Sequence, residues 1–373
     1  MSSINVIETG ILFENKLPQL RSRHGYFPGI IKMNDGTLMA AYVVGEAFES
    51  VDLTTEISIS RDEGRTWERI GKIYDKRKSS RKTSDSLKLT QTKDGRLLAF
   101  GYEMDRSNPC LPIGNVETGG ILDSNMVLFE STDMGKSWGD PVIIPNSFLG
   151  DPVEASAPLV ELKNGHLVTP IANFKNWEGI CKSGLHSRLL RSEDGGRTWD
   201  DSTVIMEFPG RNITIWEQRL CQTESGMLCV ISWNEDLANG IQLPNHFALS
   251  YDNGKTFEKP QSTGIMGQAS GLVHIEGEKI LSLHCMRRGT DKPGIYAYIV
   301  DLSNGTWDII DEKVVWEPKT LLQANKKMMD VFAFLKFGQP SAIRLNQGGD
   351  FLMVNWIIEE GQGKIIWTRL NII

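Results

Sequence analysis

The 373-residue sequence lacks several features that would place it in a familiar class at once. Its five cysteines are scattered and none forms a Cys-x-x-Cys pair, so neither a disulfide framework nor a zinc site is expected. No apolar run approaches the ~18 residues that a membrane span needs. The first ten residues, MSSINVIETG, hold neither the basic nor the apolar segment of a secretion signal, and we expect a cytoplasmic protein with reduced thiols.

Positive charge is also scarce in this sequence. Forty Lys and Arg against 47 Asp and Glu give a formal net charge of −7, which argues against nucleic acid or an anionic membrane as a partner. The basic run DKRKSSRK, from Asp75 to Lys82, is therefore interpreted as a solvated loop. No phosphate-binding glycine motif follows a strand into a helix, and no metal-ligand motif is present, so we expect neither a cofactor nor a metal.

What the sequence does contain is a repeated turn motif, Ser-x-Asp-x-Gly-x-x-Trp. The copies are SRDEGRTW from Ser60, STDMGKSW from Ser131, SEDGGRTW from Ser192, SYDNGKTF from Ser250 and a degenerate DLSNGTW that ends at Trp307. Short β-type runs precede the first four copies, and Asp and Gly between such runs are typical of hairpins. The carboxylate can accept hydrogen bonds from the turn's amides, and glycine tolerates positive φ. We interpret the motif as architecture rather than catalysis.

A second repeat alternates with the first. Six segments read as an apolar strand, a glycine turn and another apolar strand, with the turn glycines at Gly36, Gly95, Gly165, Gly226, Gly277 and Gly349. Together the repeats predict an all-β fold, a six-bladed β-propeller of four-stranded antiparallel blades in one domain spanning residues 1–373. The N-terminal INVIETGILF is expected to close the ring beside KIIWTRLNII.

These repeats resemble the Asp-box propellers of the sialidase (neuraminidase) superfamily, which also includes exo-acting arabinanases and other glycoside hydrolases. Sialidases clamp a substrate carboxylate with three arginines and use a Tyr nucleophile activated by a Glu. By this resemblance Glu217 occupies the place of that Glu, and Arg287 or Arg288 could supply an arginine. Tyr26 and Gln339 stand where the family has its first Arg and its Tyr. The resemblance implies a sialidase-like protein with a carbohydrate partner.

The starts of the inner strands are the predicted site, because in a propeller they all surround the same mouth of the channel. Glycoside hydrolysis needs two carboxyl groups, one of them protonated. Glu154 and Glu217, on adjacent blades, are the predicted catalytic pair, and Asp85 is the next candidate. The predicted substrate-binding residues are His24, Tyr26, Arg219, Gln268, Gln339, Arg287, Arg188 and Trp177. The loop GEAFESVD adds Glu46, Glu49 and Asp52 near the place of the family's acid/base, without a choice among them.

The favoured interpretation is an exo-acting glycoside hydrolase that uses a pair of carboxylates. One alternative is a true exo-α-sialidase whose arginine clamp is rebuilt from Arg219, Arg287 and Arg188. Another is a propeller that binds a glycan or a protein without turnover. A third is a lyase in which His24 or Tyr26 removes a proton α to a uronic acid carboxylate.

Overall fold

Six antiparallel sheets form a ring around a central channel, as the repeats predict. The computed structural model describes residues 3–287, 290–319 and 336–373. Five of the sheets have four strands, and the third blade has a fifth because its inner strand is split in two. Within the described ranges, no helix has the length and apolar character that crossing a bilayer would require.

The strands are numbered in chain order and grouped here by blade, from the channel outwards. Blades 1 to 3 consist of β2 (His24–Lys32), β3 (Leu38–Gly45), β4 (Thr54–Ser60) and β5 (Glu68–Lys72); β6 (Thr83–Gln91), β7 (Leu97–Asp105), β8 (Ser124–Ser131) and β9 (Val142–Ile144); β10 (Val153–Glu154) with β11 (Val160–Glu161), β12 (Leu167–Asn173), β13 (His186–Ser192) and β14 (Asp200–Glu207). Blades 4 to 6 consist of β15 (Trp216–Gln222), β16 (Leu228–Trp233), β19 (His246–Ser250) and β20 (Gln261–Ser262); β21 (Ser270–Glu276), β22 (Lys279–Met286), β23 (Gly294–Asp301) and β24 (Asp308–Trp316); β25 (Phe337–Arg344), β26 (Asp350–Glu359), β27 (Gln362–Ile372) and β1 (Ile4–Phe13). A short ribbon of β17 (Glu235–Asp236) and β18 (Ile241–Gln242) and a 3-10 helix over Lys76–Lys78 complete the described elements.

The core is divided into six clusters of buried apolar side chains, one between each pair of neighbouring blades. Strand β3 shows how one sequence supplies two of them. Its Met39 and Ala41 pack towards blade 2, while Leu38 and Ala40 pack towards blade 6. A blade is therefore apolar on both faces, which explains why its strands read as continuous apolar runs rather than alternating ones.

The repeated Ser-x-Asp-x-Gly turn joins the third and fourth strands of blades 1 to 4 with the same hydrogen bonds each time. In blade 2, Gly135 N–H donates to Ser131 Oγ (2.9 Å), and Ser131 Oγ donates to Asp133 Oδ1 (2.8 Å). Hydrogen bonds from Ser137 and Ser131 lower the pKa of Asp133 to about 2. The residue before the glycine has positive φ, as at Met134 (+63°). These carboxylates are occupied within the turn, in agreement with an architectural role.

The ring closes between the two ends of the chain. Strand β1 pairs antiparallel with β27, with Val6 opposite Leu370, and becomes the outermost strand of blade 6. This confirms the predicted closure.

The basic run DKRKSSRK connects blade 1 to blade 2. Lys76 Nζ donates to the carbonyl oxygens of Leu53 (2.8 Å) and Thr83 (2.7 Å), and Arg77 Nη2 pairs with Asp75 (2.7 Å). The run is the inter-blade loop that the sequence predicts.

Candidate active site

The central channel has two mouths of different construction. The inner strands begin at one of them, here called the start mouth, and the glycine turns and Ser-x-Asp turns lie at the other, the turn mouth. A pocket of about 180 Å³ opens at the start mouth. Loops that follow the second strands also reach this pocket, through Phe48, Ile113 and Phe174. These loops therefore contribute to the walls of the start mouth.

Three inner strands carry an irregularity at the start mouth. The registers of β2, β15 and β25 shift there, and the residue in each shift has a left-handed backbone. These residues are Phe27 (φ +50°), Glu217 (φ +47°) and Gln339 (φ +41°), and all three line the pocket. A bulge re-aims a side chain, and left-handed non-glycine residues cost roughly 1–3 kcal/mol and cluster at functional sites.

Two of the pocket's carboxyl groups have contrasting environments. Glu217 Oε1 accepts a hydrogen bond from Gln339 Nε2 (2.7 Å), which links blade 4 to blade 6 across the channel. Glu154 is 2% exposed, and its Oε1 accepts from the Ser156 N–H (2.9 Å). Its Oε2 is buried with no partner among the described residues. Burial raises the pKa of Glu154, against the opposing effects of Ser156 and Arg219.

Two buried cations lie in the channel close to these carboxyl groups. Lys88 is 3% exposed, and its Nζ donates to the carbonyl of Phe27 (2.5 Å), the bulged residue of blade 1. Arg219 Nη1 donates to Ser156 Oγ (3.2 Å). Burial lowers the pKa of Lys88 to about 7, assisted by the charge of Arg219 and opposed by Glu217 and Glu154. The four groups therefore form an electrostatically coupled set around the channel.

Aromatic side chains form two walls of the pocket. On one side the ring of Phe48 lies 5.1 Å from that of Phe27 and 5.6 Å from that of Trp356, measured between centroids. The second wall consists of Trp216 with its neighbours Trp233 (5.3 Å) and Phe174 (5.7 Å). The carboxyl groups of the pocket thus share it with two apolar surfaces.

The loop GEAFESVD contributes one of its three acids to the pocket. Glu49 lines it, and burial raises the pKa of Glu49, opposed by backbone hydrogen bonds from Ile113 and Gly114 and by the charge of Arg106. Arg106 Nη2 donates to the Glu49 carbonyl (2.8 Å) and holds the loop in place. Asp52 instead accepts from the Glu46 N–H (3.0 Å) inside the loop. Glu49 therefore joins the candidate carboxyl groups.

Six of the predicted site residues come together in the pocket: Glu154, Glu217, Asp85, Gln268, Gln339 and Arg287. Asp85 and Arg287 make further contacts at the edge of the pocket. Asp85 Oδ1 accepts from the Thr55 N–H and hydroxyl (both 2.7 Å), and its Oδ2 pairs with Lys76 (2.9 Å). Arg287 Nε donates to Gln268 Oε1 (2.6 Å). Asp85 thus ties blade 1 to blade 2 beside the pocket.

The other predicted residues lie outside the pocket lining. His24 Nδ1 accepts from the Gly363 N–H (2.8 Å), and Tyr26 is buried against Phe48 and Trp356. Arg219 lies deeper in the channel, as described above. Because β2 bulges at Phe27, that residue rather than Tyr26 lines the pocket.

Two further predicted residues belong to the blades and loops around the pocket. Arg188 Nη1 donates to the Asp201 carbonyl (2.9 Å) between β13 and β14, near the outer edge of blade 3. The Trp177 carbonyl accepts from Asn115 Nδ2 (3.0 Å) and Thr118 Oγ1 (2.7 Å), which joins two loops. Arg288 lies outside the described residues.

Several residues of the pocket and of the channel beneath it escaped sequence reasoning. Lys88 sits within an apolar inner strand, and Phe27 and Phe48 appear as ordinary apolar residues of a strand and a loop. One signal was present in the sequence. Second strands end near the pocket with aromatic residues, Trp233 on β16 and Trp356 on β26, and both line it.

Fold and site together define a sialidase-like β-propeller. The chain belongs to the BNR repeat-like domain family, whose profile matches residues 36–284. It is 24% identical over 260 residues to a sialidase of Bacteroides fragilis (strain YCH46), an alignment that covers 63% of this chain and 43% of the sialidase. The chain therefore spans less than half of that relative's length.

Solved structures share the fold at low sequence identity. A protein of unknown function from Dyadobacter fermentans superposes with a TM-score of 0.76 at 20% identity, with 99% of each chain covered. An α-L-arabinanase of Penicillium chrysogenum, solved with arabinobiose, superposes with a TM-score of 0.69 at 14% identity, with 98% of each chain covered. At such identities the likeness concerns the architecture of the whole ring.

Proposed function

We propose that the protein is an exo-acting glycoside hydrolase in which Glu154 and Glu217 are the catalytic carboxyl groups. The observation that carries this proposal is the contrast between these two groups in one pocket. Glu154 is buried and its pKa is raised. Glu217 instead accepts a hydrogen bond from the Gln339 side-chain nitrogen Nε2, which is only a donor. Glycoside hydrolysis requires two carboxyl groups that differ in role, one that is protonated and one that is ionised.

The two groups have complementary roles in this proposal. Glu154 donates its proton to the glycosidic oxygen as the bond between that oxygen and the anomeric carbon breaks. Glu217, ionised and oriented by Gln339, stabilises the positive charge that develops at the anomeric carbon. Water supplies the hydroxyl of the released sugar, and its proton restores Glu154.

Glu49 is the competing proton donor. Its pKa is also raised by burial, and it lies on a loop at the pocket rather than on an inner strand. Separate Glu49→Gln and Glu154→Gln variants distinguish the two. Loss of the true proton donor slows cleavage of glycosides with poor leaving groups much more than cleavage of those with good leaving groups, because good leaving groups need little protonation. The relatives support a carbohydrate substrate, since they include a sialidase and an arabinanase.

A non-catalytic glycan-binding propeller is the second candidate function. It is favoured by Gln339, an amide with no nucleophilic chemistry at the position where the sialidase resemblance places a Tyr. In that case a sugar would bind in the pocket and remain intact, and binding would survive the loss of Glu217.

The test is a turnover screen of the purified protein against aryl glycosides, including an α-L-arabinofuranoside, a rhamnoside, a uronide and an α-sialoside. Glu217→Gln is assayed alongside, with Glu276→Gln as the matched control, because Glu276 is an exposed carboxylate on the inner strand of blade 5. Turnover that Glu217→Gln abolishes and Glu276→Gln retains supports the hydrolase. Sugar binding without turnover by the unaltered protein supports the binding module instead.

A further inference from the structure

The lining of the pocket indicates the class of sugar that it holds. We infer that the pocket binds a neutral sugar with an apolar ring face and excludes a sugar that carries a carboxylate. This inference rests on the proposed glycoside hydrolysis and adds the substrate class to it.

Charge is the first argument. Four carboxyl groups line the pocket, those of Glu49, Asp85, Glu154 and Glu217. Among the described residues, Arg287 supplies the one cationic side chain in the lining. Its Nε and Nη1 already donate to Gln268 Oε1 (2.6 Å) and to the Phe337 carbonyl (2.9 Å). Asp85 is paired with Lys76, and the proposed mechanism requires a protonated Glu154, so Glu217 is the carboxylate that would oppose a substrate carboxylate. With Arg287 engaged in this way, the substrate carboxylate would lose its hydration with little compensation.

The positions of the other arginines strengthen this argument. Arg219 turns towards Ser156 and the Gln218 carbonyl (2.5 Å), within the channel. Arg188 binds the Asp201 carbonyl near the outer edge of blade 3. The three arginines that could rebuild a carboxylate clamp therefore do not converge on the pocket.

The aromatic walls supply the attractive half of the recognition. Phe27, Phe48 and Trp356 stand on one side and Trp216 on the other, so a ring between them packs its C–H groups against aromatic surface. This arrangement favours a pentose, a deoxy sugar or another sugar with an apolar face, because such faces gain from contact with aromatic rings.

Unpaired polar atoms in the walls match hydroxyl groups. Gln268 Nε2 and Trp216 Nε1 are donors, and Gln339 Oε1 is an acceptor. All three are buried without a partner in the described part of the chain. A hydroxyl group both donates and accepts, so the hydroxyls of a neutral sugar can satisfy both kinds of atom, whereas leaving them unpaired is costly.

The experiment measures binding separately from turnover. Isothermal titration calorimetry of the full chain carrying Glu217→Gln uses methyl α-L-arabinofuranoside and methyl α-L-rhamnoside as neutral probes. A methyl glucuronide and a methyl α-sialoside are the charged probes. At least one neutral probe is expected to bind roughly tenfold or more tightly than either charged probe. Equal or tighter binding of a charged probe, or no binding of either neutral probe, overturns the inference.

Aromatic variants locate the binding energy. Phe48→Ala is expected to weaken binding of the neutral probe by roughly tenfold, and Phe48→Leu by less, since part of the apolar surface remains. Phe257→Leu, in a repeated turn at the other mouth, is the matched control and should leave binding unchanged. Thermal unfolding of each variant shows whether it is folded. Unchanged binding by both folded Phe48 variants contradicts the role assigned to this wall.

The outcomes separate this inference from the proposed function. If the unaltered protein binds a neutral sugar but never cleaves it, the hydrolase proposal fails and the substrate class stands. If it cleaves the sialoside or the uronide, hydrolysis stands and the substrate class fails.

Discussion

The two mouths of the channel use irregular backbone in different ways. At the turn mouth, left-handed residues such as Met134 recur at the same place in each of the four full copies of the turn, and the nearby Ser131 hydroxyl both accepts and donates. At the start mouth, Glu217 and Gln339 are left-handed on only some of the blades, beside buried polar atoms that lack partners among the described residues. Left-handed residues that recur in every full copy of the turn have a structural role. Left-handed residues confined to a few blades instead mark the candidate site.

The largest effect expected from this contrast belongs to Glu217. Glu217→Gln keeps the size and the bulge but removes the carboxylate, and we expect kcat to fall by roughly 10³-fold. Initial rates on the aryl glycoside that the unaltered protein cleaves are the measurement, with Glu276→Gln as the control. A Glu217→Gln variant with more than half of the original rate would show that the start mouth is not the reaction centre.

A second prediction concerns the pH dependence of activity. Glu154 must be protonated to act as the acid, and burial raises its pKa, so kcat should fall as the pH rises through that raised pKa. Glu154→Gln should lower kcat by roughly 10²-fold and abolish this alkaline limb. The loss should be smaller on a nitrophenyl glycoside than on one with a poor leaving group. An alkaline limb that persists in Glu154→Gln would assign the proton to another group, Glu49 first.

A third prediction concerns stability and the buried cation. The pKa of Lys88 is lowered to about 7 in the folded protein from an ordinary value of 10.5. Between these values the unfolded chain binds more protons, so this group makes stability rise with pH, by at most about 1.4 kcal/mol per pH unit.

Lys88→Met removes that dependence. As the pH rises from 7 to 9, the free energy of unfolding of the unaltered protein should therefore increase relative to that of Lys88→Met. Urea unfolding of both proteins at several pH values measures the difference. Parallel pH profiles would mean that Lys88 keeps its ordinary pKa in the channel.

The smallest effect is expected at the turn mouth. Ser131 is 2% exposed, and Ser131→Ala removes the acceptor of the Gly135 N–H and a donor to Asp133, so we expect a loss of about 1–2 kcal/mol in stability. kcat should be unchanged, since the turn lies at the mouth opposite the pocket. Ser80→Ala, an exposed serine of the inter-blade loop, is the control. A loss of activity by Ser131→Ala without a loss of stability would contradict the purely structural role assigned to the turn mouth.

The fold could be predicted from the sequence because each blade carries its own turn chemistry, repeated along the chain. The pocket could be located because inner strands start at one mouth, which brings Glu154, Glu217 and Gln339 together. Lys88 could not be assigned to the channel beside Glu154 and Glu217. Propeller strands are buried on both faces, so an apolar pattern does not distinguish the channel from the blade interfaces.

The bulges explain the remaining differences from expectation. A register shift of one residue moves every following side chain of the strand to the opposite face of the sheet. Nothing in the segment GYFPG indicates such a shift. Tyr26 was accordingly predicted at the pocket, where the neighbouring Phe27 stands. The positions of loop residues such as Trp177 could not be predicted either, because the direction of a long loop depends on contacts with the loops beside it.

The pairing of β1 with β27 also determines when the ring can close during synthesis of the chain. Val6 belongs to the first strand of the propeller in chain order, and its partner Leu370 to the last strand of the propeller. At about 5–20 residues per second, the first strand waits roughly 20–70 s before its partner exists. Through that interval five blades can form in order while the sixth stays open and an apolar strand has nothing to pair with. The ring therefore closes only once the sixth blade has been made, and a chaperone would have its longest opportunity to act at the first strand, β1.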